Sequence, residues 1–230
     1  MYFKNCNATN HVAGVDPFNI VDYVGYLSND EYFTYFPNDS CKHIFLYAGT
    51  EITVLNYKTI NGFKKTIIND EIVFVKEKHI SKNVPYIKYD ITDNGKKRYM
   101  DWNCITDTTS DQWKLQNYNA YTGFNGIRMV ENRYCIAIGS YFTTQIGTKI
   151  DVDLLSDDGN IKTIKCILGD CKANVDTCSN NIYAKDGSIL EFIVNTSSLT
   201  DKARLHGDLS HLSEELNGKV ISVKIYKEGE

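Results

Sequence analysis

The chain has 230 residues, of which 42% are hydrophobic and 23% charged, with only 3 prolines. This composition excludes collagen-like, low-complexity and mainly disordered proteins, and the length allows one large domain or two small ones. The formal charge is −4 and no basic run exceeds Lys96–Arg98, so nucleic acid is not an expected partner, because binding phosphates needs clustered cations. No apolar stretch approaches the roughly 18 residues of a membrane helix, and residues 1–10 lack the charged and apolar regions of a signal peptide. We therefore expect no membrane span and no general secretory route.

Residues 1–40 are rich in aromatic residues and asparagine, and we assign them no fold. Residues 41–89 contain four short β-branched or aromatic runs, separated by Gly49, the pair Asn61-Gly62 and the pair Asn69-Asp70. The runs are Ile44–Tyr47, Glu51–Leu55, Lys65–Ile68 and Glu71–Val75. Short strands with turn residues between them predict a small β-barrel or sandwich.

Residues 90–119 are polar and contain the turn sequence Asp93–Gly95, so we interpret them as a linker or a long connection. Residues 120–230 return to strand patterns, with a hairpin expected at Asp157–Gly159. The runs are Tyr134–Ile138, Lys149–Leu154, Thr163–Leu168, Ile189–Val194 and Lys219–Tyr226. Two short helices are predicted, Ser198–Arg204, capped by Ser198 or Thr200, and Ser210–Leu216. The expected fold class is mainly β.

The chain has 7 cysteines, an odd number, and none lies in a Cys-x-x-Cys pair. The five histidines stand at no metal-like spacing from the cysteines. We expect free, partly buried thiols, no metal and no cofactor. A general base or part of a metal site is suggested by His206, Asp208 and His211. The alternative is that these residues belong to an ordinary polar surface loop. Trp102 and Trp113 are candidates for a sugar-stacking platform or for core residues.

Within residues 41–89, three segments resemble the bacterial SH3-like modules of cell-wall enzymes. In Ala48–Leu55 a Gly-Thr pair opens a strand, in Asn61–Lys65 an Asn-Gly-aromatic step forms a turn, and in Asp70–Val75 a valine strand follows. Phe63 stands where those modules usually have Trp. The resemblance implies an SH3-like or other small β-barrel module.

A second resemblance covers about residues 114–227, where six segments follow one another in order. They are Arg133–Phe142, Ile146–Thr148, Ile167–Ala173, Leu190–Val194, Ala203–Gly207 and Gly218–Tyr226. Together they resemble the double-psi β-barrel of the rare-lipoprotein-A and three-aspartate wall-lytic domains, in its divergent clostridial and phage-associated form. The resemblance implies that residues 120–230 are a double-psi β-barrel and a candidate catalytic domain.

The same resemblance implies the site. Asp170 matches the family's first acid, and Glu191 stands where a second acid, usually Asp, is expected. Cys171-Lys172-Ala173 replaces the usual glycine pair. Asp176 is expected to bind substrate through hydrogen bonds, and Lys172 to pair with one carboxylate. The alternatives are that Asp170 is a turn residue and Glu191 a solvated charge at a strand edge.

The family resemblance implies a peptidoglycan lytic transglycosylase, in which one carboxyl acts first as acid and then as base. The acid must keep its proton near neutral pH, through burial or through a neighbouring carboxylate. The residue usage is typical of a low-GC Gram-positive background, so we expect glycan strands as substrate and a place in a phage or phage-like tail that opens the cell wall. We expect the protein in the virion or released to the cell wall, and otherwise in the cytoplasm. The alternative is a non-catalytic structural or glycan-binding component of a tail tip or baseplate, with homo-oligomeric contacts because closed tail assemblies are symmetric.

Overall fold

The computed structural model describes residues 19–39, 42–123 and 125–227, and the protein is mainly β. The chain divides into two compact units, with the boundary between Pro85 and Tyr86. This differs from the predicted division, which placed the first module at 41–89. Of the unassigned residues 1–40, those described include two strands of the first unit, and residues 1–18 lie outside the described part.

The first unit is built on a seven-stranded sheet in the order β3-β2-β6-β5-β4-β1-β7. Its strands are β1 (Val21–Leu27), β2 (Glu31–Thr34), β3 (Lys42–Leu46), β4 (Glu51–Leu55), β5 (Phe63–Ile68), β6 (Glu71–Lys76) and β7 (Ile80–Ser81). Alternate residues of the central strands, such as Ile52 and Val54, are buried in one apolar cluster. The expected turn at Asn69-Asp70 is a two-residue hairpin with positive φ at both positions, the geometry that asparagine and aspartate tolerate best.

The second unit contains a larger sheet of nine strands and a separate two-stranded hairpin. The large sheet holds β8 (Tyr86–Asp90), β9 (Arg98–Asp101), β10 (Tyr121–Thr122), β11 (Arg128–Val130), β12 (Arg133–Gly139), β13 (Lys149–Leu155), β14 (Ile161–Lys172), β17 (Glu191–Val194) and β18 (Lys219–Tyr226). The hairpin consists of β15 (Thr177–Cys178) and β16 (Tyr183–Ala184).

The strand pairings of the second unit form one continuous path whose two end strands, β8 and β9, follow one another in the chain. At one end of the path β8 pairs with β18, and at the other end β9 pairs in parallel with β17. From β17 the pairing continues through β12, β14 and β13 back to β18. The β12–β14 pair is also parallel, whereas the other pairs along this path are antiparallel. The strands of this path contribute the main apolar core, which includes Ile136, Leu168 and Phe192.

Helix is scarce, as predicted. α2 (Asp201–His206) begins after Thr200, whose hydroxyl accepts a hydrogen bond from the Ala203 amide, and ends at Gly207 with φ 60°. The predicted helix at Ser210–Leu216 is wrong, because only isolated turns occur there; the Asp208 carboxylate accepts the Ser210 amide and draws the backbone into a local turn. Short 3₁₀ turns occupy Glu77–His79, Trp102–Cys104, Asn174–Asp176 and Thr196–Ser198.

Residues 90–119, interpreted above as a linker or long connection, belong to the second unit and carry strand β9 and helix α1 (Asp111–Lys114). α1 continues into a π turn, Leu115–Asn119, in which the Ala120 amide donates to the Leu115 carbonyl. Beneath this segment lies a second apolar cluster, formed by outward-facing side chains such as Cys135 and Ile193. No helix among the described residues is both long and apolar enough to cross a bilayer.

Candidate active site

One row of side chains crosses four neighbouring strands of the second unit. Arg98 on β9 is in register with Glu191 on β17, Glu191 with Ala137 on β12, and Ala137 with Asp170 on β14. Residues in register on adjacent strands point to the same face of a sheet. The two predicted acids therefore flank one alanine on a shared face, with their backbones about 10 Å apart, or two strand spacings.

A bulge in β14 sets this register. The partner of Ile136 is Leu168 and the partner of Ala137 is Asp170, so Gly169 is the extra residue. A Cβ atom on Gly169 would lie 2.6 Å from the Ile193 Cδ1 atom. The glycine therefore allows a close approach of neighbouring side chains, and the bulge turns Asp170 into the row; bulges of this kind are over-represented beside active sites.

The structure brings all four predicted site residues, Asp170, Lys172, Asp176 and Glu191, to one pocket of about 440 Å³. Asp176 reaches it from the 3₁₀ turn at Asn174–Asp176. The remaining lining residues come from the ends of β9, β12 and β14 and from the segment before β17: Arg98, Met100, Ala137, Cys171, Ala173, Ala184, Asp186 and Ser188.

Lys172 and Glu191 form an ion pair across β12. The Lys172 Nζ atom lies 3.4 Å from the Glu191 Oε2 atom, and the two side chains are 6% and 26% exposed. Lys172 is in register with Gly139, next but one to Ala137 on the same strand. Because these two positions carry little or no side chain, the lysine can pass over β12 to reach the glutamate on β17. Lys172 was expected to pair with one carboxylate, and in the structure that carboxylate is Glu191.

Asp170 lies in a different environment. Burial raises the pKa of its carboxyl, the hydrogen bond from the Cys171 amide opposes that rise, and the nearby Glu191 charge adds to it. The net result is a pKa above the ordinary aspartate value, with the Cys171 nitrogen 2.8 Å from Oδ1. A carboxyl with a raised pKa is the kind of group that serves as a general acid.

Sequence reasoning missed Arg98 and Asp186, which also line the pocket. The Arg98 Nε atom donates to Asp186 Oδ2 over 2.6 Å. Burial raises the pKa of Asp186, but hydrogen bonds from Arg98 and Ser188 outweigh it, so that the pKa falls well below the usual range. The pocket therefore combines a firmly ionised acid, Asp186, with an acid that retains its proton more readily, Asp170.

The other candidates lie elsewhere. His206, Asp208 and His211 line a separate hollow with Lys202, and the described residues contain no group of three His, Cys, Asp or Glu side chains arranged to hold a metal ion. Trp102 lies beneath the Arg128 guanidinium, 4.8 Å from it, in the second apolar cluster.

Cys135 and the second tryptophan, Trp113, are not among the residues that line the pocket. Burial raises the pKa of the Cys135 thiol to about 11, which makes it a poor nucleophile. Trp113 packs edge-on against Tyr118, with ring centres 5.5 Å apart.

Comparison of the chain with protein-family models, with curated proteins and with solved structures finds no match.

Proposed function

We propose that the second unit cleaves the glycan strands of peptidoglycan by lytic transglycosylation, with Asp170 as the acid. The observation that carries this proposal is the contrast between two acids on one row. Asp170 has a raised pKa and Glu191 is paired with Lys172. A desolvated carboxyl close to a second carboxylate that is held by a cation is an arrangement typical of acid–base sites.

In the proposed reaction, the protonated Asp170 donates to the glycosidic oxygen as the bond between the sugar C1 and that oxygen breaks. The Glu191 carboxylate, held by Lys172, stabilises the positive charge that develops at C1. Asp170, now a carboxylate, then accepts the proton of the muramyl 6-hydroxyl as its oxygen bonds to C1. The acid regains its proton, and the product is a 1,6-anhydro sugar with no water consumed.

The topology supports the resemblance from which this function follows. A meander of hairpins contains antiparallel pairs only, whereas the large sheet of the second unit contains two parallel pairs, β12–β14 and β9–β17, which require crossover connections. Such crossovers are compatible with a double-psi β-barrel. A place in a phage or phage-like tail of a Gram-positive host, and an SH3-like role for the first unit, belong to the same proposal.

The test is incubation of the protein with low-GC Gram-positive peptidoglycan, followed by mass analysis of the soluble products. Wild type is expected to release anhydromuramyl fragments, and Asp170→Asn to release none. Asp90→Asn is the matched control, because Asp90 is an exposed carboxylate on β8 that pairs with Lys88 outside the pocket. Glu191→Gln is expected to reduce the rate by about 10²-fold or more, the usual effect of removing one electrostatic stabiliser.

A second candidate function, a non-catalytic glycan-binding or structural tail component, is favoured by one feature of the pocket. Both cations that line it, Arg98 and Lys172, are already paired with carboxylates of the same pocket. Such a pocket would suit an uncharged sugar without any chemistry. If the wild-type protein binds the cell wall but releases no fragments, the catalytic proposal is refuted and the binding or structural role takes its place.

A further inference from the structure

Arg98 lines the pocket and is fixed there by two hydrogen bonds. Its Nε atom donates to the Asp186 Oδ2 atom over 2.6 Å, and its Nη1 atom donates to the Gly207 carbonyl, at the end of α2, over 3.2 Å. Asp186 is itself held in place, because its Oδ1 atom accepts the Ser188 hydroxyl over 2.7 Å and its carbonyl accepts the Asn94 side chain over 2.6 Å. The guanidinium therefore has a defined position.

The guanidinium of Arg98 keeps hydrogen-bond donors that the protein does not use. A guanidinium has five N–H donors, and the two bonds above use two of them. The Nη2 atom of Arg98 has no hydrogen-bond partner within residues 19–39, 42–123 and 125–227. Because the side chain is 37% exposed, these donors are accessible to a ligand in the pocket.

The charges of the pocket select an uncharged ligand group for these donors. The lining residues include four carboxyl groups and two cations, Arg98 and Lys172, and each cation is already paired with a carboxylate. A negatively charged ligand group would therefore face an excess of like charge. A neutral acceptor, such as an amide carbonyl oxygen, suits the unused N–H groups of Arg98 better.

Apolar side chains lie next to the same donors. Met100 follows Arg98 by two residues on β9, so both side chains lie on one face of the sheet, and both line the pocket. Ala137, in the same row on β12, adds a second apolar lining residue. An acetamido group combines a carbonyl oxygen with a methyl group, so it matches a fixed donor beside apolar side chains. A sugar hydroxyl has no methyl group to place there.

We propose that Arg98 and Met100 form a subsite for the acetamido group of an N-acetylated glycan, in which Arg98 donates to the acetamido carbonyl oxygen and Met100 contacts the methyl group. The inference names the substituent that determines specificity. It rests on the proposed function only in taking a glycan as the ligand of the pocket, which the catalytic and the non-catalytic candidates share. Arg98 has no part in the proton transfers proposed for Asp170.

The experiment compares two uncharged ligands by NMR titration, a β-1,4-linked tetramer of N-acetylglucosamine and the glucose tetramer with the same linkage. The two differ only in having an acetamido group or a hydroxyl group at each C2 position. Wild type is expected to bind the N-acetylated tetramer about tenfold or more tightly, because the glucose tetramer leaves the Arg98 donors and the apolar contact unused.

Three variants identify the residues responsible. Arg98→Lys keeps the charge but loses the planar fork of donors, so it is expected to remove most of the preference for the N-acetylated tetramer. Met100→Ala is expected to weaken binding of the N-acetylated tetramer by about threefold or more and to leave the glucose tetramer unchanged. Arg204→Lys is the matched control, because Arg204 pairs with Asp201 on α2 outside the pocket, and it is expected to keep the wild-type preference.

Equal affinity of the wild type for the two tetramers, or binding of neither, would overturn the inference. So would an equal loss of both affinities in Arg98→Lys, which is what a merely structural role of the Arg98–Asp186 pair would give. If Arg98→Lys does not fold, Met100→Ala decides, and a wild-type ratio of affinities in that variant overturns the inference. Binding is measured without cleavage, so selective binding with no anhydromuramyl product would refute the catalytic proposal and leave the subsite in place. Anhydromuramyl product without selective binding would refute the subsite alone.

Discussion

Gly139, the last residue of β12, offers the sharpest test of how the pocket is built. An added Cβ atom there would lie 1.8 Å from the carbonyl oxygen of Asn181 and 2.8 Å from its carbonyl carbon. An ordinary carbon–oxygen contact is about 3.3 Å or longer, so the backbone of the β15–β16 loop would have to retreat by about 1.5 Å. We therefore expect Gly139→Ala to displace this loop.

The loop has little freedom to retreat. Ser179, Asn180 and Asn181 all have positive φ, between 51° and 62°, a conformation that costs non-glycine residues energy. The Thr177 hydroxyl also holds the Asn181 side chain over 2.7 Å. Overpacking of about 1–3 kcal/mol and loss of this hydrogen bond, about 1 kcal/mol, give an expected destabilisation of about 2–4 kcal/mol.

Gly159→Ala is the matched control for Gly139→Ala. Gly159 has φ 83° and nothing within 4 Å of an added Cβ atom, so its substitution costs only the backbone term of about 1–2 kcal/mol. Urea unfolding followed by tryptophan fluorescence measures both, since the chain's 2 tryptophans, Trp102 and Trp113, lie in the second unit. If the free energy of unfolding of Gly139→Ala is no lower than that of Gly159→Ala, the close packing of the β15–β16 loop on Gly139 is refuted.

Three further substitutions in the second unit have defined outcomes. Because the pKa of Asp170 is raised in the folded protein, its stabilising contribution is present below the unfolded-state pKa of about 3.9 and is lost as pH rises. At pH 7 the ionised carboxyl is partly desolvated, so Asp170→Asn should raise the melting temperature there. Below about pH 4 the carboxyl is protonated in both states, and the gain should be absent. Arg133 is fully buried and bonded to Asp151 over 3.2 Å, so Arg133→Met should cost about 3–5 kcal/mol in urea unfolding, and a cost under 1 kcal/mol would contradict the pairing. Tyr226 donates to Asp151 over 2.8 Å, and Tyr226→Phe should cost about 1.5–3 kcal/mol by the same assay; an unchanged midpoint would show that this hydrogen bond contributes nothing.

The strands that could be predicted are those in which apolar residues are concentrated. β4 and β18 have the bounds that the sequence patterns indicate, Glu51–Leu55 and Lys219–Tyr226. β8 and β9 escaped prediction because their side chains are half-buried or exposed throughout, with no alternation to detect. α1 has four residues, too few for a 3.6-residue period to appear.

The two predicted acids share a pocket because they lie in register on β14 and β17, on either side of Ala137. The residues that sequence reasoning missed depend on pairings between distant segments. Arg98 joins the row only through the parallel register of β9 with β17, and its partner Asp186 is 88 residues away in the sequence. The π turn Leu115–Asn119 after α1 is likewise indicated by no periodicity in the sequence. Parallel pairing and local irregularity are decided by tertiary contacts, so sequence pattern alone does not predict them.

Several energetically unfavourable features coincide at this row. Asp170 is desolvated, the Gln116 amide nitrogen is buried without a partner, and Gly169 interrupts the regular ladder. Selection for stability alone would favour paired or apolar groups at each of these positions. Natural chains depart from that rule chiefly at functional sites. If the row served the fold only, relieving its strain would change stability and nothing else. A functional origin instead requires that Asp170→Asn gain stability at pH 7 and lose product formation together.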